Sequence, residues 1–182
     1  MTTTRRTSRR HLLMSAWTLA ATGCSWVPVR LGPARRGDDP PEPPTGPITP
    51  EELEELRTQV VEAHNAIRAD AKLKKLTVNR KLMAAAQAHA EDMAARRKMS
   101  HTGGDGSSSS ERIKARGYRY FRTGENVATG RLSVDRVMKG WMNSPSHKRN
   151  ILGGFSDIGV GCAVGEDGKR YWCVTFGLLS TH

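Results

Sequence analysis

The stretch that says most about the fold is residues 140–152, which read Gly140-Trp141-Met142-Asn143-Ser144-Pro145-Ser146-His147-Lys148-Arg149-Asn150-Ile151-Leu152. Apolar residues leading into it recur at the period of a helix with one buried face, namely Val134, Val137, Met138 and Trp141. Pro145 disfavours the helical conformation at Ser144, so we predict that the helix ends there. His147 would then lie in a turn beside a buried anchor, where binding and catalytic groups are often found.

This stretch resembles the signature W-x-x-S-P-x-H-x-x-N-I of the bacterial branch of the CAP superfamily. That superfamily includes cysteine-rich secretory proteins, insect venom antigen 5 and plant pathogenesis-related proteins. The matching positions are Trp141, Ser144, Pro145, His147, Asn150 and Ile151. Other blocks agree with the family in the same order: His64-Asn65-x-x-Arg68, Met99-Ser100-His101-Thr102, Gly124-Glu125-Asn126 and Ile158-Gly159-Val160-Gly161. The resemblance covers roughly residues 55–178.

The order of the predicted elements favours an α+β fold. Helical patterns occupy the first two thirds of residues 49–182, and the clearest strand patterns come last, which argues against a doubly wound parallel sheet. The resemblance implies a three-layer α-β-α sandwich with a small antiparallel sheet, and we assign this CAP domain to residues 49–182. His64 and Asn65 match the family's first-helix motif, and we expect them to be buried groups bonded to nearby backbone.

The resemblance also implies a site. In CAP domains the positions of His101, Glu125 and His147 converge in a central cleft as part of a His-Glu-Glu-His tetrad, and Ser144 stands where the second glutamate belongs. Two imidazoles and a carboxylate suit zinc or another divalent cation with an open position. Asn126 and Ser144 are expected to orient these ligands.

Two other interpretations of the trio stay open. The same groups could act as general acid and base, or they could form a polar network that only fixes the fold. No catalytic residue is assigned, because no nucleophile is visible beside a base. We therefore weigh a binding protein for a lipid, a sterol or a cell-wall fragment against a metal-assisted hydrolase of peptide or envelope polymer, and against a non-catalytic interaction module.

The N-terminus has the pattern of an export signal over residues 1–24. An arginine-rich start precedes a short apolar run, too short to span a bilayer. Ser8-Arg9-Arg10-His11-Leu12-Leu13 resembles a twin-arginine motif, and Ala21-Thr22-Gly23-Cys24 resembles a lipobox in which Cys24 would be lipidated. Simple cleavage and an uncleaved basic tail are the alternatives. Residues 25–48 are rich in proline and predict an extended linker. We expect an exported protein in the cell envelope or outside the cell.

The chain has three cysteines. If Cys24 carries lipid, Cys162 and Cys173 remain, on either side of an Asp-Gly turn signal at Asp167-Gly168. With a two-residue turn they would face each other across a hairpin, within disulfide range. Export would allow that disulfide to form, and two reduced, packed thiols are the alternative.

The formal net charge of the chain is +11, of which residues 51–182 contribute +7 from 22 basic and 15 acidic residues. A basic domain can favour anionic partners such as envelope polymers or lipid head groups, although charges on solvated helix faces are the more common explanation. No long basic stretch is interleaved with aromatic residues, so nucleic-acid binding is not expected. We expect membrane contact through the lipid anchor only.

Overall fold

The computed structural model describes Pro43 and residues 46–180. Its helices are α1 (Pro50–Asp70), α2 (Arg80–Arg96), α3 (Ser109–Ala115), α4 (Val134–Asn143) and α5 (Pro145–Ile151). Its strands are β1 (Thr77–Val78), β2 (Tyr120–Gly130), β3 (Asp157–Val164) and β4 (Arg170–Leu179). The predicted export signal, Cys24 and nearly all of the linker lie outside the described residues. Within the described part, no helix is long and apolar enough to cross a membrane.

The helix boundaries follow local chemistry. Thr49 caps α1 by accepting a hydrogen bond from the Glu52 amide, with proline at the first helical position. Asn79 and Ser133 cap α2 and α4 in the same way. Helix α4 ends at Asn143, and Pro145 starts α5 after one extended residue. The predicted stop at Ser144 is therefore correct, but His147 lies in a short helix and not in a turn.

The sheet has the strand order β1-β3-β4-β2. Its long strands pair antiparallel, and the two-residue β1 adds a parallel pairing with β3. Alternate residues of β3 and β4 point to opposite faces, as the strand period requires. One face packs against α1 and α4 around Trp141 and Trp172, and the other packs against α2 around Met93. The predicted α-β-α sandwich is confirmed.

Two glycines let α2 lie directly on β3. A Cβ atom on Gly159 would be 2.2 Å from the backbone carbon of Leu82, and one on Gly161 would be 2.4 Å from that of Ala86. Real Cβ atoms do not approach backbone that closely. The helix and the strand therefore touch backbone to backbone, and any side chain at these two positions would force them apart.

The predicted disulfide is wrong, because Cys162 and Cys173 are both free and buried. The register pairs Cys162 with Trp172 and Cys173 with Gly161. This register differs by one residue from the register that a two-residue turn would give. The connection instead spans residues 165–169 and is closed by a hydrogen bond of 2.9 Å from the Gly165 amide to the Lys169 carbonyl. A slip of one residue moves a side chain to the other face. Cys162 therefore packs with α1 and α4, and Cys173 packs with α2.

This register predicts the response to reductant. A reducing agent should leave the melting temperature of residues 46–182 unchanged, since no disulfide constrains the unfolded chain. Alkylation should modify both Cys162 and Cys173 only after unfolding, because both are buried. Mass spectrometry before and after denaturation checks this. A melting temperature that falls by several degrees in reductant, or a mass two hydrogens too low, would contradict the register.

The motif His64-Asn65-x-x-Arg68 lies on the inner side of α1. His64 Nδ1 donates to the Val60 carbonyl at 2.7 Å, and its ring lies between Trp141 and Phe176. The Asn65 amide group makes two hydrogen bonds to the backbone of Leu76, at 3.1 and 2.7 Å. The structural role expected for His64 and Asn65 is confirmed.

Arg68 has a larger role than the sequence indicated. Its side chain is buried, and its guanidinium donates to four backbone carbonyl oxygens at 2.7 to 3.3 Å, those of Lys74, Ile151, Gly153 and Phe155. One side chain thus joins the end of α1 to the connection between α5 and β3. That connection follows directly on the helix that carries His147.

Candidate functional site

Three elements bring the predicted site residues to one region. Glu125 lies inside β2. His101 lies in the loop that follows α2, and His147 lies in the first turn of α5. Trp141 fixes α4, the helix before α5, to the sheet by donating from Nε1 to the Val127 carbonyl at 3.1 Å.

His101 and Glu125 are in direct contact. His101 Nδ1 lies 2.8 Å from Glu125 Oε1, and the side chains are 59% and 4% exposed, respectively. The hydrogen bond to Glu125 raises the pKa of His101 against the opposing effect of burial. Burial would raise the pKa of Glu125, but His101 and Arg112 outweigh it and lower that pKa. The carboxylate is therefore ionised and fixed, and one imidazole edge faces solvent.

Arg112 is the site residue that the sequence analysis missed. Its Nη2 donates to Glu125 Oε2 at 2.7 Å and to the His101 carbonyl at 3.1 Å, and its Nη1 donates to the Ser107 carbonyl at 2.7 Å. The guanidinium thus ties both ends of the 101–107 loop to the carboxylate. Arg112 lies on the short helix α3, and no motif or spacing in the sequence linked it to the cluster.

Cys173 lies beneath the carboxylate, with its Sγ 3.5 Å from Glu125 Oε2. Burial, and then the charge of Glu125, raise its pKa well above the ordinary value of 9.0. The thiol is therefore protonated and can donate weakly to the carboxylate. A protonated, fully buried thiol is a poor nucleophile.

His147 lies near the pair but makes no hydrogen bond to it among the described residues. Burial lowers its pKa, with a smaller effect from the charge of His101. Its ring packs on Trp141 at a centroid distance of 6.4 Å, and its Nδ1 is buried without a hydrogen-bond partner in the described part of the chain. The structure thus brings His147 to the same region but holds it less tightly than His101.

The two residues expected to orient the site differ in what they contact. Asn126 Nδ2 donates to the His147 carbonyl at 3.2 Å, and its Oδ1 accepts from Asn150 at 2.8 Å, so it holds the backbone of α5. The Ser144 hydroxyl instead lies 3.2 Å from that of Ser146. Among the described residues Ser144 makes no hydrogen bond to His101, Glu125 or His147.

The side-chain arrangement fits a divalent cation poorly. Both oxygens of Glu125 are engaged, one by His101 and one by the positive charge of Arg112. Within residues 46–180 no three His, Cys, Asp or Glu side chains are grouped so that they could hold a metal ion. Zinc would have to displace Arg112 or the imidazole from the one carboxylate of the set, and Ser144 supplies no second one.

Comparison with known proteins gives a consistent result. A model of the cysteine-rich secretory protein family, CAP, matches residues 61–176. The Bacillus subtilis protein YkwD is 35% identical over 113 residues, which are 62% of this chain and 44% of that protein. This chain therefore spans less than half the length of that relative.

Solved structures show the same similarity. An extracellular protein containing an SCP domain from Bacillus anthracis has a TM-score of 0.64 at 25% identity, with 72% of this chain and 44% of that chain covered. An outer surface protein of Borrelia burgdorferi has a TM-score of 0.64 at 26% identity, with 74% of this chain and 98% of that chain covered. The similarity thus extends to proteins described as extracellular or surface-exposed.

Proposed function

Since the chain belongs to the CAP family of cysteine-rich secretory proteins, we propose that it is an exported protein that binds a lipid, a sterol or a cell-wall fragment at the cluster of His101, Glu125 and His147. The observation that carries this proposal is the contrast in exposure within the cluster. The Glu125 and Arg112 side chains are 4% and 13% exposed, whereas that of His101 is 59% exposed. The cluster therefore presents a fixed, oriented imidazole to a ligand.

The surroundings support binding over covalent chemistry. No hydroxyl, thiol or amine of a described side chain is hydrogen-bonded to His101 or His147. Met99, two residues before His101, is 49% exposed. An imidazole near an apolar side chain suits an amphipathic ligand with one polar group.

The location of the protein is part of the proposal. The structural neighbours that are described as extracellular or surface proteins support export. Lipidation at Cys24, with residues 25–48 as a spacer, would hold the CAP domain at the envelope. Replacing Cys24 by serine should then release the protein from membranes that are washed at high salt. Retention of the variant on salt-washed membranes would contradict the anchor.

A thermal-shift titration of residues 46–182 tests the ligand site. Palmitate, cholesterol and a muropeptide serve as probes, and Zn²⁺ is titrated separately to test the metal that the family implies. A probe at 100 times its dissociation constant should raise the free energy of unfolding by about 2.7 kcal/mol. We expect this gain from at least one organic probe, and we expect it to be lost in His101→Ala.

Lys139→Ala is the matched control, because Lys139 is exposed on α4 and makes no side-chain contact among the described residues. It should keep the full gain. The proposal is wrong if no organic probe stabilises the domain, or if His101→Ala responds as the wild type does. The cluster would in that case be a polar network that holds the 101–107 loop to the sheet.

A hydrolase is the second candidate, and one observation favours it. Because His101 Nδ1 is directed at Glu125, Nε2 is left at the exposed edge, where it could accept a proton from water. Hydrolysis of a peptide or muropeptide should then disappear in both His101→Ala and Glu125→Gln. Turnover that persists in both variants would place the activity outside this cluster.

A further inference from the structure

A second surface lies at the end of the sheet where β2 begins and β4 ends. We call it the basic-apolar surface and define it by Arg80, Lys81, Arg119, Phe121 and Leu179. All of these except Phe121 line one groove of about 470 Å³. Phe121 follows Tyr120, whose strand partner is Leu179 of the groove, and lies between two paired residues of β2, Tyr120 and Arg122.

The positive charge of this surface is not neutralised by ion pairs, although Arg80 also borders a neighbouring groove that contains Glu54 and Glu91. Arg80 and Arg119 make no ion pair with a described residue, and Lys81 Nζ donates to the Gly117 carbonyl at 2.8 Å. No acidic residue lines the groove. Asp157 is nearby, but it is buried and accepts the Tyr118 hydroxyl at 2.6 Å.

Several arginines elsewhere in the described part of the chain are paired. Arg57, Arg96, Arg112 and Arg170 contact carboxylates. In addition, Arg80 and Lys81 occupy the first two positions of the 17-residue α2, whose first turn contains no acidic residue. Cations are unfavourable at that end of a helix. The sequence thus concentrates positive charge where local electrostatics oppose it, which is typical of a functional surface.

The same surface exposes apolar side chains. Phe121 is 79% exposed and Leu179 is 48% exposed. These are two of the five large apolar residues that are exposed in the described part of the chain. The pairing of β2 with β4 shifts between Tyr120 and Arg122, so Phe121 is the extra residue of a bulge, a feature that redirects a side chain.

We propose that the basic-apolar surface docks the domain onto an anionic lipid bilayer. Arg80, Lys81 and Arg119 face the head groups, and Phe121 enters the interface beside Leu179. Charge complementarity selects an anionic partner. The exposed aromatic and aliphatic side chains select a bilayer over a soluble polyanion, since only the bilayer offers them an apolar phase.

This docking is independent of the ligand at His101 and adds a second membrane contact to the anchor predicted at Cys24. It also bears on the position of the site. Glu125 lies four residues beyond Phe121, about 13 Å along β2 at the rise of a strand. Docking would hold the imidazole of His101 close to the head-group region.

Vesicle flotation of residues 46–182 tests the proposal. This segment contains all three hydrophobic clusters, and the similar Borrelia burgdorferi chain, 98% of which is covered, consists almost entirely of this domain. We expect binding to vesicles with 30% phosphatidylglycerol, loss of binding at high salt, and none to pure phosphatidylcholine. Phe121→Asp should lower the partition coefficient at least about tenfold. Arg80→Glu with Arg119→Glu should lower it at least about 25-fold, at about fivefold for each cation.

Two controls make the result specific. Lys98→Glu with Lys139→Glu changes the net charge equally at exposed positions outside the surface, and Leu73→Asp is the apolar control, since Leu73 is 37% exposed and belongs neither to the surface nor to the His101 cluster. Neither should change binding by more than about twofold. The proposal would be overturned if the control pair lost as much binding as Arg80→Glu with Arg119→Glu. It would also be overturned if Phe121→Asp bound vesicles normally and soluble polyphosphate competed for that binding.

Discussion

Arg68→Ala should lower the free energy of unfolding by about 3–5 kcal/mol, the usual cost of removing one partner from a buried charged network. The variant leaves four backbone carbonyl oxygens without their donor, and these carbonyls belong to two separate connections of the fold. For a domain of this size the melting temperature should fall by ten degrees or more. Chemical denaturation of residues 46–182 measures the change directly.

Arg68→Lys separates geometry from charge. An ammonium keeps the charge but has three donors at one point, so it cannot reach all four carbonyls. It should recover less than half of the lost stability. Arg149→Ala is the control, since Arg149 is exposed and makes no side-chain contact among the described residues. A loss below about 1 kcal/mol in Arg68→Ala would show that the four hydrogen bonds contribute little.

Acid should destabilise the domain through His64. Burial lowers the pKa of His64 from 6.5 to about 4, so the folded protein keeps this imidazole neutral. The neutral imidazole of His64 makes its full contribution to the free energy of unfolding above pH 6.5. As the pH falls from 6.5 to 4, His64 binds a proton in the unfolded chain but stays neutral in the folded protein, so the free energy of unfolding decreases. The loss attributable to His64 should reach about 3 kcal/mol at pH 4.

His64→Phe isolates this contribution. It keeps an aromatic ring between Trp141 and Phe176, and the Val60 carbonyl still accepts the helical amide of residue 64. The free energy of unfolding should fall between pH 7 and pH 4 by about 3 kcal/mol less in the variant than in the wild type. Other histidines titrate alike in both proteins. Parallel pH profiles for the two proteins would mean that His64 is protonated as readily in the folded protein as in the unfolded chain.

What the sequence predicted well was local. The end of α4 at Ser144 depends on the proline that follows it, and the buried stripe of α4 depends on one helical period. Both can be recognised without knowing the rest of the chain. The family resemblance supplied the layer order and the convergence of His101, Glu125 and His147, which no spacing of these residues could have given.

What the sequence did not predict depends on contacts between distant segments. Arg112 meets Glu125 only because α3 packs beside β2, and a helix of seven residues carries no signal of that packing. The cysteine register failed for a related reason. Asp167-Gly168 is indeed in the turn, but the loop contains three further residues. The pairing of β3 with β4 is therefore shifted by one residue, which places the two thiols on opposite faces of the sheet.

Gly159 and Gly161 also limit how the site can vary. Helix α2 touches β3 through its backbone, and His89 on α2 donates from Nε2 to the Ser100 carbonyl at 2.8 Å, next to His101. The same sheet carries Glu125. An added methyl group at either glycine would therefore shift the helix as a body and move the imidazole away from its carboxylate. The 2.8 Å distance between His101 and Glu125 thus depends on Gly159 and Gly161, although neither glycine takes part in that contact.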